Sequence, residues 1–335
     1  MRRRDFLKVA SVITGATLLR PDFPAFGRET FPAQKLTWLV GLPAGGGTDV
    51  MVRGIAPYFQ KYLRAISGNP EKVGVVVKNL PGGGGMRTIN EIYHAKPDGY
   101  TLACDGEMLH TNTVLGELKF DLFELTYLAR LASSGKVIVA SSRANLKNWE
   151  DVQRLAKKGN LRLGVTGFGG SNHVAAVLFL DSTKLNARIV IFDGSSGLSA
   201  ALIRGDVLLG MQSEDSVKNL IEAGELKPIL TFSSHSLYPD CENVNTIGFP
   251  ELNNVTNSQR YVVAPPRLPS AIKKALVDCL RKAVNDKDFL AWNERAKMSI
   301  KPVFGNELEK LVRDIQKFYN SKERVLKEYL LEKKI

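Results

Sequence analysis

Residues 36–50 read LTWLVGLPAGGGTDV, and their pattern is the strongest local indication of the fold. The first five residues form a continuous apolar run, which is typical of a strand buried on both faces. A glycine-rich turn follows at 41–47, and Thr48 or Asp49 can then cap a helix that continues through Leu63. The stretch therefore predicts a strand, a tight turn and a helix.

The same unit recurs along the chain. Further apolar runs alternate with helical patterns, at residues 73–77, 100–104, 161–165, 188–192, 207–211 and 228–232. Strands that alternate with helices predict an α/β fold with parallel sheets covered by helices on both faces. The chain becomes mainly helical after Pro269, and from Glu307 an amphipathic helix is predicted to pack on the body of the protein.

Composition and charge limit the possible functions. The 335 residues predict about two domains, and 44% hydrophobic with 24% charged residues is ordinary for a globular protein. A net charge of +12 favours an anionic partner, which can be nucleic acid, an anionic surface or a small anion. The basic residues are dispersed and no nucleic-acid motif is present, so we expect no nucleic-acid partner.

The N-terminus has the pattern of an export signal. Arg3-Arg4-Asp5-Phe6-Leu7-Lys8 fits the twin-arginine motif, and an apolar stretch from Val9 to Leu19 follows it. We expect residues 1–28 to be the signal, and the alternative is a basic arm of a cytosolic protein. The three cysteines are an odd number, which allows at most one internal disulfide.

Four glycine-rich turns carry the functional signal, and three of them lead straight from a predicted strand into a predicted helix. They lie at residues 43–49, 81–85, 167–173 and 193–196. A helix N-terminus exposes unpaired N–H groups and a partial positive charge, and glycine lets a ligand approach that backbone closely. Such turns can bind an anion, although each can also be a tight connection and nothing more.

The kind of anion follows from what the turns lack. Gly41 and Gly46 have the first spacing of a phosphate-binding loop, but Gly47-Thr48 follows where that loop needs Lys and a hydroxyl residue. The dinucleotide fingerprint is also missing. An acid at Asp49 disfavours a doubly charged phosphate, so a carboxylate fits better. No spacing supports a catalytic residue, a metal site or a cofactor, and we predict none of the three.

Five side chains near the turns have two interpretations each. Asp49 is either a cap or anchor of its turn or a ligand contact, and Ser171 and Ser195 either donate hydroxyls to a carboxylate or cap helices. His173 either bonds locally or touches the ligand. Glu107 either is solvated or faces a cationic part of the ligand.

These residues resemble the solute-binding proteins of tripartite tricarboxylate transporters, the Bug family of periplasmic receptors. The resemblance covers nearly all of the chain after the signal. The segments that carry it are LPAGGGTD at 42–49, NLPGGGG at 79–85, KPDGYTL at 96–102, FDGS at 192–195, AAL at 200–202, GDV at 205–207, AGEL at 223–226 and VAPP at 263–266 with Leu268-Pro269.

The resemblance implies a type II periplasmic-binding-protein fold, with two α/β lobes of mixed or parallel sheets and the ligand in the cleft between them. It implies lobe 1 at residues 30–133 plus 259–335 and lobe 2 at 134–258. The ligand carboxylate would be held by backbone N–H groups, hydroxyls and ordered waters. With the side chains weighed above, the candidate ligand-binding residues are Ala44, Gly45, Gly46, Thr48, Asp49, Glu107, Gly169, Gly170, Ser171, His173, Asp193, Gly194, Ser195 and Gln212.

Three departures from the family pattern bear on the ligand. Gly170 stands where the family usually has Ser, so Ser171 is expected to take that role. The loop at 105–107 reads Asp-Gly-Glu where small residues are usual, and an acid there would repel a second ligand carboxylate. We therefore expect a ligand with one carboxylate and a cationic or hydrogen-bond-donating end. Gln212 replaces a small or acidic residue and leaves specificity open.

The sequence therefore predicts a periplasmic or otherwise extracytoplasmic receptor that is not an enzyme and that acts as a monomer. Its partners would be a small carboxylate and the membrane permease subunits of a tripartite tricarboxylate-type transporter. One alternative is an exported α/β enzyme that acts on a phosphorylated or acyl substrate. Another is a receptor that feeds a sensor kinase.

Overall fold

The computed structural model describes residues 31–106, 108–234, 238–253 and 256–332. The predicted export signal, at residues 1–28, lies outside this part of the chain. Its strands are β1 (Leu36–Val40), β2 (Val75–Asn79), β3 (Thr101–Asp105), β4 (Thr126–Ser134), β5 (Lys136–Ser141), β6 (Leu161–Thr166), β7 (Ala187–Phe192), β8 (Leu209–Ser213), β9 (Leu226–Thr231), β10 (Glu242–Asn243), β11 (Ser258–Ala264) and β12 (Ile300–Val303).

The helices alternate with the strands until β9, except between β4 and β5, and dominate after β11. They are α1 (Gly47–Ile66), α2 (Met86–His94), α3 (Met108–Leu115), α4 (Trp149–Lys157), α5 (Ser171–Thr183), α6 (Ser195–Arg204), α7 (Glu214–Glu222), α8 (Ser270–Val284), α9 (Lys287–Ala296), α10 (Gly305–Ser321) and α11 (Glu323–Lys327). No helix in the described ranges combines the length and apolarity that crossing a membrane requires.

The strands form two six-stranded sheets with the same internal plan. The orders are β12-β4-β11-β3-β1-β2 and β10-β9-β5-β8-β6-β7. In the first sheet β1 lies parallel to β2 and β3, and in the second β6 lies parallel to β7 and β8. An antiparallel strand, β11 or β5, follows β3 or β8. Both sheets are therefore mixed, and β1 and β6 hold equivalent positions, each next to an edge strand.

The chain passes between the sheets twice. It enters the second sheet at Gly135, between β4 and β5, and returns before β11. Helices cover both faces of each sheet. Each face accordingly contributes to its own apolar core cluster. Leu326 and Leu330 near the C-terminus pack in the same cluster as Phe179 of α5, so the end of the chain lies against the second sheet.

Burial explains where the sequence-based expectations fail. β1 is buried as predicted, and α1 buries Met51, Ile55 and Phe59 on one face. The run at 73–77 was expected to be a buried strand, but β2 begins at Val75 and alternates between half-buried and exposed residues, with Val76 48% exposed. The reason is that β2 is the outermost strand of its sheet. The predicted C-terminal amphipathic helix is confirmed as α10, which buries Leu308 and Val312.

Candidate functional site

A cavity of about 80 Å³ lies between the two sheets, at the carboxyl ends of their parallel strands. This is where open α/β sheets bind ligands. Among the described residues that line it, none is acidic. Its polar lining comes from Thr48, Thr166, Ser171, Asn172, Ser195, Ser213, Ser216, Ser258, Gln259 and Arg260.

The turn after β1 brings the N-terminus of α1 to this cavity. Gly46 is the N-cap and α1 begins at Gly47, without a side-chain cap. A Cβ at Gly47 would lie 2.6 Å from Ser216 Oγ and 2.8 Å from Arg260 Nη2, so a larger residue would force these side chains to move. The first turn of α1 therefore lies directly against α7, which belongs to the second sheet, and its N–H groups face a narrow space.

Asp49 anchors this turn and does not line the cavity. Its carboxylate accepts hydrogen bonds from Gly45 N at 2.9 Å, Asn79 Nδ2 at 2.9 Å and Arg53 Nε at 2.9 Å. Burial alone would raise the pKa of Asp49, but these hydrogen bonds outweigh it and lower that pKa below its usual range. Asp49 is thus ionised and fully engaged within its own lobe.

Two turns of the second sheet face the first. Gly167 and Gly169 have positive φ angles of 66° and 69°, and they lead from β6 into α5, whose N-cap is Gly170. The turn after β7 leads into α6 through its N-cap Gly194. A Cβ on Gly194 would lie 3.3 Å from the ring of Pro43, so turns from the two sheets are in contact. Three helix N-termini therefore border one cavity.

His173 stabilises the turn before α5 through a hydrogen bond and does not line the cavity. Its Nδ1 accepts the N–H of Gly169 at 3.0 Å, and the ring is fully buried. Burial lowers the pKa of His173 to about 4, so the imidazole is neutral at pH 7 and carries its proton on Nε2. His173 therefore bonds locally, which is one of the two interpretations of the sequence.

A buried lysine, which the sequence analysis did not single out, lies beside the cavity. Lys136 begins β5 and is 1% exposed. Its ammonium donates hydrogen bonds to Ser171 Oγ at 2.8 Å and to Ser258 Oγ. Ser258 also bonds to Ser213, and Asn172 Nδ2 donates to Thr166 Oγ1 at 2.6 Å. All these serine, threonine and asparagine residues line the cavity, and Lys136 donates directly to two of them.

A buried ion pair also joins the two sheets at the cavity. Arg260 of β11 forms a bidentate pair with Asp215 at the start of α7, with Nη2 2.9 Å from Oδ1. Burial would raise the pKa of Asp215, and the charge of Arg260 with a hydrogen bond from Ser134 lowers it. Arg260 lines the cavity beside Gly47, so this ion pair, the ligand space and α1 meet at one place.

The structure brings part of the predicted set together. Six of the fourteen candidates line the cavity, namely Gly46, Thr48, Gly170, Ser171, Gly194 and Ser195. Seven lie behind the lining or elsewhere, namely Ala44, Gly45, Asp49, Gly169, His173, Asp193 and Gln212. Gln212 is fully buried and donates from Nε2 to Ser199 Oγ of α6 at 3.1 Å. Glu107 lies outside the described residues.

Sequence reasoning missed Ser213, Ser216, Ser258 and Arg260, besides Lys136. The first two had a usable signal, since SEDS at 213–216 spans the junction of β8 and α7, and the glycine turns also connect a strand to a helix. Ser258 and Arg260 belong to the returning strand β11, and no local pattern directs them to the cavity. Within the described residues, no group of three or more metal-binding side chains is present.

Comparison with known proteins assigns the chain to a protein family. Residues 53–331 match the model of the tripartite tricarboxylate transporter family receptor. The chain belongs to this family. The match covers β2 to β12 and the helices from α2 to α11, and the family is one of solute-binding receptors rather than enzymes. The predicted Bug-family resemblance is confirmed.

Curated relatives and a solved structure agree with this assignment. The chain is 25% identical over 313 residues to the "UPF0065 protein in gbd 5'region" of Cupriavidus necator, covering 91% of each chain. It is 25% identical to BugT of Bordetella pertussis over 71% of this chain and 72% of that one. MatC from Rhodopseudomonas palustris, solved with bound malate, is 20% identical with a TM-score of 0.74, covering 88% of this receptor and 100% of MatC. The predicted two-lobe fold is thereby confirmed.

Proposed function

We propose that this receptor captures a small carboxylate in the cavity between its sheets and delivers it to the membrane subunits of a tripartite tricarboxylate-type transporter. The observation that carries the proposal is the convergence of the N-termini of α1, α5 and α6 on one cavity. Helix N-termini favour anions, and serine and threonine hydroxyls add hydrogen-bond donors. The structurally similar protein MatC, which was solved with bound malate, supports a carboxylate as the anion.

The size of the cavity favours a compact ligand. About 80 Å³ is well below the roughly 300–1,000 Å³ of sites for drug-sized molecules. An organic acid of a few carbon atoms suits this space. The further proposal of a cationic or donor-bearing end rests on Glu107, outside the described residues, and it stays a prediction.

Ligand capture would proceed by closure of two lobes, at residues 30–133 plus 259–335 and 134–258. The contacts of Gly47 with Ser216 and of Gly194 with Pro43 join the two sheets across the cavity, as a closed form requires. Closure would exclude water and strengthen each hydrogen bond to the anion. We propose that the receptor acts as a monomer outside the cytoplasm, exported by the signal at residues 1–28.

A thermal-shift screen tests the proposal against the exported enzyme. The purified receptor is mixed with a panel of mono- and dicarboxylates, amino acids, nucleotides and sugar phosphates. A melting-temperature rise with carboxylates alone, without turnover of any panel compound, supports the receptor. A rise with phosphorylated compounds alone, or turnover of one of them, contradicts it.

A further inference from the structure

The Lys136 ammonium is the start of a hydrogen-bond chain with a defined direction. A lysine ammonium has donors and no acceptor, so Ser258 Oγ must accept from it. The carbonyl oxygen of Asn172 can only accept, so Ser213 Oγ donates to it, at 3.4 Å. Since Ser213 has one hydroxyl proton, its bond with Ser258 must be donated by Ser258.

The last link of the chain lies at the cavity. Asn172 Nδ2 donates to Thr166 Oγ1 at 2.6 Å, so this oxygen accepts and the Thr166 hydroxyl proton is directed to another acceptor. Thr166 lines the cavity. Each bond along the path from Lys136 through Ser258, Ser213 and Asn172 to Thr166 thus donates away from the ammonium, and the path ends on a donor. Hydrogen bonds in such a chain polarise one another, and a charged donor at its start strengthens the effect.

The chain also crosses between the two sheets. Lys136 and Ser213 belong to strands of the second sheet, and Ser258 begins β11 of the first. Ser171, at the N-terminus of α5, accepts directly from the same ammonium. The network therefore exists only where the first and second sheets meet.

We propose that Lys136 is a specificity-determining residue, which selects a carboxylate over a neutral ligand by polarising the hydroxyls of the cavity without touching the ligand. This inference rests on the proposed function, because it names what makes that same site prefer an anion. It adds a buried positive charge to the backbone N–H groups and hydroxyls that the family resemblance implies at this site.

Acetate and acetamide are suitable probes, since they have nearly the same shape and differ in charge. Dissociation constants at pH 7 are measured by chemical-shift titration of the receptor's amide resonances. We expect the wild type to bind acetate at least tenfold more tightly than acetamide. Lys136→Met should weaken acetate binding about tenfold or more and change acetamide binding less than twofold.

A second variant and two controls keep the inference testable if Lys136→Met does not fold. Ser258→Ala breaks the chain at its second member and should reduce the acetate preference about threefold or more. Ser199→Ala, a buried serine that bonds to Gln212 on the α6 side, and Lys227→Met, which removes an exposed charge, should leave the preference unchanged.

Several outcomes overturn the inference. One is an equal loss of affinity for both probes in folded Lys136→Met, which indicates a structural role. Another is an unchanged preference in folded Ser258→Ala, and a third is a wild type without any preference. If the wild type still responds to carboxylates in the thermal-shift screen, these results refute the role of Lys136 alone. If it responds to no carboxylate, the proposed function fails as well.

Discussion

Arg260 and Asp215 form a bidentate ion pair that connects the two sheets, and both side chains are at most 5% exposed. Arg260 belongs to the strand on which the chain returns to the first sheet, and Asp215 begins α7 of the second. The pair lies at the wall of the cavity. It therefore links the stability of the interface between the sheets to the geometry of the ligand site.

Breaking this pair should destabilise the protein strongly. Asp215→Asn keeps the size of the side chain but leaves a buried guanidinium without its carboxylate, which typically costs about 3–5 kcal/mol. The free energy of unfolding from urea titration measures the effect. Glu222→Gln is the matched control, since it removes an exposed ion pair with Lys297 between the same two sheets and should cost less than about 1 kcal/mol. A loss below about 1 kcal/mol for Asp215→Asn would show that the ion pair does not hold the two sheets together.

The receptor should lose stability in mild acid because of two buried histidines. Burial lowers the pKa of His110 and His173 to about 4, whereas an unfolded histidine titrates near 6.5. The unfolded state binds more protons in this range, so the stability from neutral burial is present above about pH 6.5 and is lost as pH falls toward 4. Each histidine contributes on the order of 3 kcal/mol by this linkage.

Urea titrations between pH 7 and pH 4.5 measure this loss. His110→Gln and His173→Gln should each reduce the pH dependence, while His94→Gln, at an exposed position, should not. A stability that stays flat over this range would show that neither histidine is buried in its neutral form. Asp49 and Asp215 have lowered pKa values and add their losses at more acidic pH.

Removal of the anchor in the first turn should weaken ligand binding from a distance. Asp49→Ala leaves Gly45, Asn79 and Arg53 without their shared acceptor, at an expected cost of about 2 kcal/mol in stability. The turn before α1 would then be less ordered, so the affinity for the best carboxylate of the screen should fall at least tenfold. Asp206→Ala, which removes an exposed ion pair, should change neither quantity. If folded Asp49→Ala binds the carboxylate with unaltered affinity, the hydrogen bonds of Asp49 do not support the ligand site.

Gly47→Ala should hinder the closed arrangement. The added methyl group would lie 2.6 Å from Ser216 Oγ and 2.8 Å from Arg260 Nη2, and the guanidinium is held by its ion pair. We expect a loss of carboxylate affinity of at least tenfold by calorimetry. Gly197→Ala is the control, because a Cβ there has open space and alanine favours the helix. Equal affinities in the two variants would show that α1 does not close against α7.

Hydroxyl groups at the two sides of the cavity should each contribute to ligand binding. Thr48→Val and Ser195→Ala remove one lining hydroxyl from α1 and one from α6. Each should weaken the binding of the best carboxylate severalfold without a change in melting temperature of the unliganded protein. If calorimetry finds both affinities unchanged, the two residues do not belong to the site.

The sequence predicts the local units of this fold well, for physical reasons. The apolar run of β1, the glycine turn and the amphipathic face of α1 are properties of contiguous residues, and their pattern is enough. The helix nevertheless begins at Gly47, before the predicted caps, because Asp49 closes the turn through Gly45 instead of capping the helix. Local patterns identify the unit, while its exact boundary depends on tertiary contacts.

The site itself is only half predictable. The glycine turns predict helix N-termini. Ser171 and Ser195, which follow two of these turns, line the cavity as predicted. Lys136 and Ser258 are 122 residues apart and meet only because the chain leaves and re-enters the first sheet at neighbouring strands. A lone lysine at the start of an apolar run indicates an inward-facing charge, but nothing nearby identifies its partner.

A crystal structure of the receptor with the carboxylate that gives the largest thermal shift would locate the ligand relative to the three helix N-termini. We expect one ligand carboxylate in the cavity, within hydrogen-bond distance of backbone N–H groups from α1 and from α5 or α6, with Thr166 as a further donor. A carboxylate bound outside this cavity, or held only by exposed lysine or arginine side chains, would contradict this expectation.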